Sequence, residues 1–517
     1  MKLGCGVSWV VAALLSFSGT VTAQNVVQFG LNRGLPGIKL GSLPPLARRA
    51  TYTEPLANNI TGGGYYAEVT VGTPGQTVTM VLDTGSSDAW VVSYKANLCT
   101  SARLQQQYGD SCGQTYNPAS SSTYKLVERG GFRITYLDGG VAAGDYMADD
   151  FEIGGTTIKS LQMGYATQTV RGTGILGVGF SANEAADTKY PNIIDQFVSQ
   201  GLISSKAYSL WLNDRRSDSG TILFGGIDTD KFIGPLEIIP ILKPDSSAAY
   251  TSFEVELSGM SLAYSNGSTF NVSMPKSSST LPAILDSGTT LSYLPDNIAE
   301  QIFSELGTYT DTQVTGLTFV DCAYLTSERD SVMTFNLGSA AIAVPVYEMV
   351  LDILGPYQSS LPSDIPFGNV CLFGIQTTAG FQSSGAVTSS NFALLGDTFL
   401  RSAYVVYDLT HHQIGIAQAN LNSTSTSITE LKADDSGLPS VTGVAAQQKA
   451  STTASSTSGS GSSGTSGSGS APETVTVTAS AKNAAAGVRP PRIAGDVKGL
   501  LAATGFFAVV GSALVIW

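Results

Sequence analysis

Alternating apolar and polar positions from about residue 64 onward predict a chain built mainly of β-strands. Residues 65–71 (YYAEVTV) alternate, a turn containing glycine and proline follows, and residues 77–82 (TVTMVL) form the next predicted strand. Apolar residues at helical spacing occur in shorter stretches, which include residues 192–200 and 296–306. Strand patterns dominate, and the predicted fold class is therefore mostly β.

One short pattern occurs twice, about 200 residues apart, at residues 81–87 (VLDTGSS) and 284–290 (ILDSGTT). In both copies two apolar residues precede an aspartate, which is followed by a hydroxyl residue, a glycine and further hydroxyl residues. About 90 to 110 residues after each copy comes an apolar pair with a glycine, at residues 175–177 (ILG) and 394–396 (LLG). This repeated order indicates an internal duplication.

The duplication predicts a domain at residues 50–420 made of two related β lobes, at about 64–240 and 241–420. Each lobe would bring one carboxylate, Asp83 or Asp286, to a centre in the cleft between the lobes. Two carboxylates held side by side cannot both ionise cheaply, so the pair shares one proton over a wide acidic range. One member can then take a proton from water while the other donates to a carbonyl oxygen, which is general acid–base hydrolysis of an amide.

The neighbours of both aspartates suit this chemistry. A glycine lets each loop turn tightly and offers an N–H donor, and the hydroxyl residue after it can donate to an outer carboxylate oxygen. The hydroxyl residue before each glycine can form a hydrogen bond across the junction of the lobes. These supporting residues are Thr84, Gly85, Ser86, Ser287, Gly288 and Thr289.

Other hydrolytic mechanisms lack parts in this sequence. A Ser–His–Asp site needs a histidine, and the two histidines, His411 and His412, are adjacent and are predicted to be exposed turn residues. A cysteine nucleophile needs a free thiol, which the even number of cysteines left after removal of the signal peptide disfavours. A glycosidase also uses two carboxylates, but it would not need them in duplicated glycine loops.

Composition and charge narrow the class of partner. Charged residues make up 13% of the chain and the formal net charge is −13, which argues against nucleic acid because phosphate binding needs basic patches. An acidic protein of this kind suits mildly acidic surroundings or cationic substrates, although acidic proteins are also common among secreted chains.

The N-terminus predicts export. Residues 1–23 have a positive start, an apolar run too short for a membrane span and a small-residue cleavage site, so they are interpreted as a signal peptide. Residues 24–49 end in Arg48-Arg49, a dibasic pair typical of processing, and are interpreted as a propeptide. The alternative for this second segment is an ordinary N-terminal arm.

Once the signal peptide is removed, the chain keeps an even number of cysteines, and the simplest pairing is Cys99–Cys112 and Cys322–Cys371. Their spacing does not fit a zinc site, and no metal or other cofactor is expected. Four sequons predict a glycosylated surface, at Asn59, Asn266, Asn271 and Asn422.

The C-terminal part changes character. Residues 421–482 are rich in Ser, Thr and Gly and are predicted to form a disordered stalk. Residues 483–517 combine small residues, a polar spacer and an apolar tail, the pattern of a glycolipid (GPI) anchor signal, with Asn483 as the expected attachment site. A retained membrane helix is the alternative interpretation of the tail.

The motifs at residues 83–90, 134–139 (ITYLDG) and 286–290, with the two apolar–glycine strands, resemble those of pepsin-type aspartic endopeptidases. Within that family the chain resembles the fungal yapsins, which are glycolipid-anchored at the cell surface. The resemblance covers about residues 64–420 and implies the bilobal pepsin-like fold. It also implies a monomeric endopeptidase without a cofactor, which acts on peptides or proteins.

The resemblance further implies roles for individual residues. Asp83 and Asp286 would be the catalytic pair, Tyr136 the tyrosine of a flap that closes over substrate, and Trp90 its support. Asp138 in the flap could contact a basic substrate side chain, as in enzymes that cut after Lys or Arg. The alternatives are a cross-strand aromatic for Tyr136, core packing for Trp90 and a turn aspartate for Asp138. Leu137 departs from the glycine usual at its position in the flap.

The predicted function is thus that of a secreted aspartic endopeptidase at the plasma membrane or in the cell wall, where it would process precursor or wall proteins. An alternative is cleavage of precursors within the secretory route. A second alternative, from another class, is a catalytically silent peptide-binding or adhesion protein on the same fold.

Overall fold

The structure is a computed structural model, and it describes residues 26–33, 64–108, 110–217, 219–243, 249–275, 280–312, 315–326, 331–354, 361, 364–383 and 391–447. Several predicted features lie outside these residues, namely the signal peptide at 1–23, most of the propeptide at 24–49, Asn59, the later part of the stalk and the anchor signal with Asn483. No helix in the described ranges is both apolar enough and long enough to span a bilayer.

Strands dominate the described chain, as the alternating pattern predicts, and the fold is mostly β with two lobes. The strands up to residue 240 are β1 (Val27–Arg33), β2 (Tyr65–Val71), β3 (Gln76–Asp83), β4 (Ala89–Val92), β5 (Lys125–Thr135), β6 (Val141–Ile153), β7 (Thr156–Thr169), β8 (Gly174–Gly177), β9 (Ala207–Trp211), β10 (Ser219–Phe224), β11 (Gly226–Asp228) and β12 (Phe232–Pro240). The later strands are β13 (Glu254–Ala263), β14 (Thr269–Val272), β15 (Leu281–Leu285), β16 (Ser292–Leu294), β17 (Tyr309–Thr310), β18 (Thr318–Asp321), β19 (Val332–Leu337), β20 (Ala340–Pro345), β21 (Val350–Leu351), β22 (Val370–Phe373), β23 (Ile375–Thr377), β24 (Ala393–Leu395), β25 (Ala403–Asp408), β26 (Gln413–Ala419) and β27 (Ile428–Glu430).

Helices are short and few in the described ranges. The α-helices are α1 (Asn97–Thr100), α2 (Ala102–Tyr108), α3 (Ile193–Ser199), α4 (Asp296–Leu306), α5 (Ala379–Ser383) and α6 (Asp397–Leu400). Single 3-10 turns lie at Pro118–Ser120, Ser181–Asn183, Thr229–Lys231, Cys322–Leu325 and Val346–Met349. The two helices predicted from apolar spacing correspond to α3 and α4. In α3 the side chain of Asn192 caps the first turn by accepting hydrogen bonds from Ile194 N and Asp195 N.

The largest sheet joins the two halves of the chain. Its thirteen strands run in the order β12-β26-β25-β9-β10-β1-β2-β3-β8-β4-β7-β6-β5, so β25 and β26 from the end of the second half pair with strands of the first. The second lobe has an eight-stranded sheet built around β13, β15 and β24, and a four-stranded sheet ordered β17-β18-β22-β21. Strand β1 lies between β10 and β2, so part of the predicted propeptide belongs to the shared sheet.

The predicted duplication corresponds to the same strand pairing in each lobe. Strand β3 runs parallel to β8, and β15 runs parallel to β24. Each pair consists of the strand that leads into the repeated aspartate and the apolar strand that carries the repeated glycine at its end, as Gly177 in β8, or directly after it, as Gly396 after β24. The strand alternation is also observed, since Tyr65, Ala67 and Val69 of β2 all face the core.

Both disulfides are present in the predicted pairings, Cys99–Cys112 and Cys322–Cys371, each with Cα atoms 5.1 Å apart. The second disulfide lies beside exposed Asp352, and together the three side chains form a group of potential metal ligands in the described ranges. Because the two sulfurs are bonded to each other, this group is not a metal site.

The folded domain continues beyond residue 420, where the sequence pattern placed the start of a disordered stalk. Residues 421–447 pack along the outside of the shared sheet, and β27 pairs with β11. Leu431 and Leu438 are only 2% and 7% exposed. Buried Asp228 accepts hydrogen bonds from Ser427 N at 2.8 Å and from the Thr426 hydroxyl. The predicted boundary at 420 is therefore too early, because scattered apolar residues between the serines and threonines anchor this segment.

We expect a chain that ends at Asn420 to be less stable than one that ends at Gln447. Truncation removes two buried leucines, each of which contributes about 2 kcal/mol by burial, and it leaves the carboxylate of Asp228 without its donors from residues 426 and 427. Thermal unfolding of the two chains measures the difference, with the longer chain as the control. Equal melting temperatures would show that residues 421–447 contribute nothing to the fold.

Candidate active site

The two repeated aspartates lie together at the centre of the molecule. Asp83 ends β3 and Asp286 directly follows β15, and neither side chain is exposed to solvent. Leu82 and Leu285, which directly precede the two aspartates, are fully buried in the core, which fixes the strand that delivers each carboxylate. The carboxyl groups are within hydrogen-bonding reach of each other.

The glycines of the apolar strands are required by a close backbone approach. A Cβ atom on Gly177 would lie 2.7 Å from the carbonyl oxygen of Asp88, and one on Gly396 would lie 2.2 Å from that of Leu291. Only glycine allows each strand to run this close to the loop that follows the aspartate. This explains why the sequence repeats the glycine together with the aspartate motif.

Each aspartate receives the same two hydrogen bonds from its own loop. Asp83 Oδ1 accepts from Gly85 N at 2.8 Å, and its Oδ2 accepts from the Ser86 hydroxyl. In the second lobe Asp286 Oδ1 accepts from Gly288 N at 2.8 Å, and its Oδ2 accepts from Thr289 Oγ1 at 2.5 Å. Both carboxyl groups are therefore held in matching orientations by a glycine amide and a hydroxyl group.

Thr84 and Ser287 tie the two loops together across the lobe junction. Thr84 Oγ1 donates to Leu285 O at 2.9 Å and accepts from Ser287 N at 2.9 Å. Reciprocally, Ser287 Oγ donates to Leu82 O at 3.0 Å and accepts from Thr84 N at 3.2 Å. The four bonds are buried and symmetric, so they fix the distance between the two loops and the relative position of their aspartates.

The electrostatics favour a shared proton. Burial and then the charge of Asp286 raise the pKa of Asp83 well above its ordinary value, against the hydrogen bonds from Ser86 and Gly85. Burial also raises the pKa of Asp286, whereas the donors Thr289 and Gly288 lower it. A buried pair of this kind retains one proton where two isolated aspartates would both ionise.

The turn of the β5–β6 hairpin lies near the site, since burial and then the charge of Asp83 raise the pKa of Tyr136 in this turn. Gly139 has a φ of 79°, which the tight turn requires, and its N–H donates to Tyr136 O at 2.9 Å. The Tyr136 hydroxyl accepts a hydrogen bond from Trp90 Nε1 at 2.7 Å, and both side chains are buried. Leu137 is also buried, in an apolar cluster whose other members, such as Ile284 and Tyr293, come from the second lobe.

The turn aspartate, Asp138, forms an ion pair with Arg171, a residue that the sequence patterns did not single out. Arg171 lies just before β8 and its guanidinium is 5.4 Å from the centre of the Tyr136 ring. No local sequence signal marks the pair, because the two residues are separated by 33 positions and meet only in the folded sheet.

A second cluster missing from the sequence interpretation lies behind Trp90. Asp88 accepts hydrogen bonds from the hydroxyls of Tyr146 at 2.9 Å and Tyr190 at 2.7 Å. Nearby Glu184 is buried and accepts from Tyr190 N at 2.7 Å. Burial raises the pKa of Asp88, and burial raises the pKa of Glu184 to about 9.

The other candidate residues lie apart from this centre. His411 binds Asp408, with 2.7 Å between Nδ1 and Oδ2, and His412 stacks on Tyr250. Both histidines lie in the turn between β25 and β26, as expected, but they are partly buried rather than exposed. The sequon residues Asn266, Asn271 and Asn422 are exposed, as glycosylation requires.

Comparison with known proteins agrees with this geometry. A sequence model described as eukaryotic aspartyl protease matches residues 64–419. The chain is 39% identical over 386 residues to "Probable aspartic-type endopeptidase OPSB" of Arthroderma benhamiae, covering 74% of this chain and 73% of the relative. It is 40% identical over 394 residues to "Probable aspartic-type endopeptidase opsB" of Aspergillus fumigatus, which covers 74% of this chain and 73% of the relative. "Secreted aspartic protease 8" of Candida albicans is 35% identical to the chain over 390 residues, which covers 75% of this chain and 83% of the relative.

We expect Glu184 to make the protein less stable as the pH rises. Its pKa is raised to about 9 in the folded state, so below about pH 4.5 it is neutral in both states, and above that value only the unfolded chain gives up the proton. The free energy of unfolding should fall between about pH 5 and pH 8, by at most about 1.4 kcal/mol per pH unit for one group.

Urea unfolding at several pH values checks this expectation. In Glu184→Gln the side chain is neutral at every pH, so the free energy of unfolding should fall less steeply with pH than in the wild type. The exposed Glu256 supplies the control variant, Glu256→Gln. The same slope in wild type and Glu184→Gln would contradict the expectation. Asp88 titrates in the same direction, so part of the slope should remain.

Proposed function

The chain belongs to the eukaryotic aspartyl protease family and is an aspartic-type endopeptidase, and on this premise we propose that Asp83 and Asp286 are its catalytic pair. The observation that supports the proposal is the symmetric set of hydrogen bonds that holds the two buried carboxyl groups side by side. A fold used only for binding or adhesion would have no need of two carboxyl groups oriented in this way.

The proposed reaction uses water directly. With one proton between them, the ionised carboxylate takes a proton from water as the water attacks the peptide carbonyl, and the protonated partner donates to the carbonyl oxygen. The tetrahedral intermediate then collapses with proton transfer to the leaving nitrogen. Gly85, Ser86, Gly288 and Thr289 orient the carboxyl groups, and Thr84 with Ser287 holds the two lobes in register.

Replacement of either aspartate by asparagine should abolish hydrolysis while the fold is kept. Asparagine has nearly the same shape, but it neither ionises nor shares a proton, so we expect kcat to fall by at least about 10³-fold, since the loss removes general acid–base catalysis. Peptide hydrolysis at acidic pH by the full chain carrying Asp83→Asn or Asp286→Asn measures this. The exposed Asp352→Asn serves as the matched control. Wild-type rates in either catalytic variant would refute the assignment.

We assign the β5–β6 turn as the substrate-binding flap, with Tyr136 over the peptide and Trp90 holding its hydroxyl. The buried 2.7 Å hydrogen bond between the two residues supports this pairing. Asp138 is the proposed group that attracts a Lys or Arg side chain, which would give a preference for basic cleavage sites. Because Asp138 is already paired with Arg171, a substrate cation has to compete for it.

The proposed cellular setting is a yapsin-like enzyme at the cell surface, which acts as a monomer on precursor or wall proteins. Export is supported by the secreted relative and by the two disulfides, which form in oxidising compartments. In this proposal residues 1–23 are a signal peptide and residues 24–49 a propeptide. The serine-rich stalk, which begins after the packed segment that ends at 447, leads to a glycolipid anchor attached at Asn483.

Treatment of intact cells with a phosphatidylinositol-specific phospholipase should release the enzyme into the medium. The expected result follows from a lipid anchor that is hydrolysed outside the membrane, whereas a retained apolar helix resists this treatment. Immunoblotting of medium and membrane fractions measures the release, and a variant with Asn483→Gln, which should lose the proposed attachment site, is the comparison. Retention of the wild-type protein in the membrane fraction after treatment would refute the anchor.

A further inference from the structure

The flap aspartate is engaged on both of its carboxylate oxygens. Asp138 Oδ1 accepts a hydrogen bond from Gly140 N at 2.8 Å, and Oδ2 pairs with Nη2 of Arg171. Both side chains are largely sheltered, with relative exposures of 12% for Asp138 and 20% for Arg171. A charge-assisted bond in so sheltered a place is stronger than an ordinary surface ion pair.

The guanidinium of Arg171 also packs against the flap tyrosine. Its Cζ lies 5.4 Å from the centre of the Tyr136 ring, a distance at which a cation is attracted to the ring face. Its Nε is buried and has no hydrogen-bond partner in the described part of the chain. Arg171 therefore contacts two flap residues that the proposed function assigns to substrate binding.

The backbone of Arg171 is fixed from the opposite side. Thr169 Oγ1 accepts from Arg171 N and donates to Arg171 O, each at 3.0 Å. The next residue, Gly172, donates from its N–H to Asp110 Oδ2 at 2.7 Å and accepts at its carbonyl from Gly113 N at 3.2 Å. These contacts tie Arg171 to the loop closed by the Cys99–Cys112 disulfide, so its position is built into the first lobe.

We propose that Arg171 is a specificity-determining residue, because its guanidinium occupies the flap carboxylate that a basic substrate side chain would otherwise bind. The inference rests on the proposed function, which places the substrate beneath this flap. A Lys or Arg side chain of a peptide meets a like charge there and must displace Arg171 to reach Asp138. A neutral side chain meets no such cost, so Arg171 weakens selection for basic cleavage sites.

The test compares two sets of peptides that differ only by lysine or norleucine at one position beside the scissile bond. The quantity measured is the ratio of kcat/KM for the lysine peptide to that for the norleucine peptide, at acidic pH, with the full chain. In Arg171→Met the freed carboxylate should raise this ratio about tenfold, the effect of one charge-assisted hydrogen bond. The ratio should rise mainly because KM for the lysine peptide falls, with kcat little changed. The double variant Arg171→Met/Asp138→Asn should return the ratio to the wild-type value.

Two further variants keep the test decisive. Lys159→Met is the matched control, because it neutralises an exposed cation that is also paired with an aspartate, Asp150, and it should leave the ratio unchanged. Arg171→Gln keeps a donor near Asp138 but removes the charge, and it should raise the ratio in the same direction as Arg171→Met.

The outcomes separate this inference from the proposed function. An unchanged ratio in Arg171→Met, or a rise that persists when Asp138→Asn is added, would overturn the role of Arg171 alone. Loss of activity on the norleucine peptide in both Arg171 variants would also overturn it, because the residue would then be needed for the fold or the reaction. Failure of the wild-type enzyme to cleave either peptide would overturn the proposed function and this inference together.

Discussion

The structure is organised around the burial of two carboxyl groups beside each other. Such a pair is costly unless a proton is shared and the remaining lone pairs find donors. The protein meets both demands in each lobe. A glycine amide and a hydroxyl group donate to each aspartate, and Thr84 and Ser287 together make four hydrogen bonds across the lobe junction. Since each lobe supplies half of these contacts, the lobes have to be similar, and the thirteen-stranded sheet that draws on both halves of the chain keeps them together.

The centre was predictable from sequence because its parts are local. The aspartate, its glycine and its hydroxyl donors lie within a few residues of one another, and the duplication marks them a second time. The glycines at 177 and 396 were visible for the same reason, although their purpose, the close passage of one strand against a loop, appears only in the fold. The disulfides were predictable because an even number of cysteines falls two to each half.

What the sequence did not indicate depends on contacts between distant positions. Arg171 and Asp138 meet because β7 and the β5–β6 hairpin belong to the same sheet, and Glu184 is buried only because residues after β8 fold back behind Trp90. The end of the domain was placed at 420 because serine and threonine dominate the following residues. A few leucines and the buried carboxylate of Asp228 are enough to hold residues 421–447 against the sheet. Composition averaged over a long window hides such isolated anchors.

The proposed mechanism requires Asp83 and Asp286 to work as one unit that holds a single proton. The most direct measurement is the pH dependence of kcat/KM for a neutral peptide, which reports the ionisation of the free enzyme. A pair that shares one proton should give a bell-shaped profile in the acidic range, with low activity when both carboxyl groups are protonated and again when the shared proton is lost. Thr84→Val, which removes the two inter-loop bonds made by the Thr84 hydroxyl, should narrow this profile or shift it along the pH axis. A profile that rises steadily through neutral pH to alkaline values would contradict the claim.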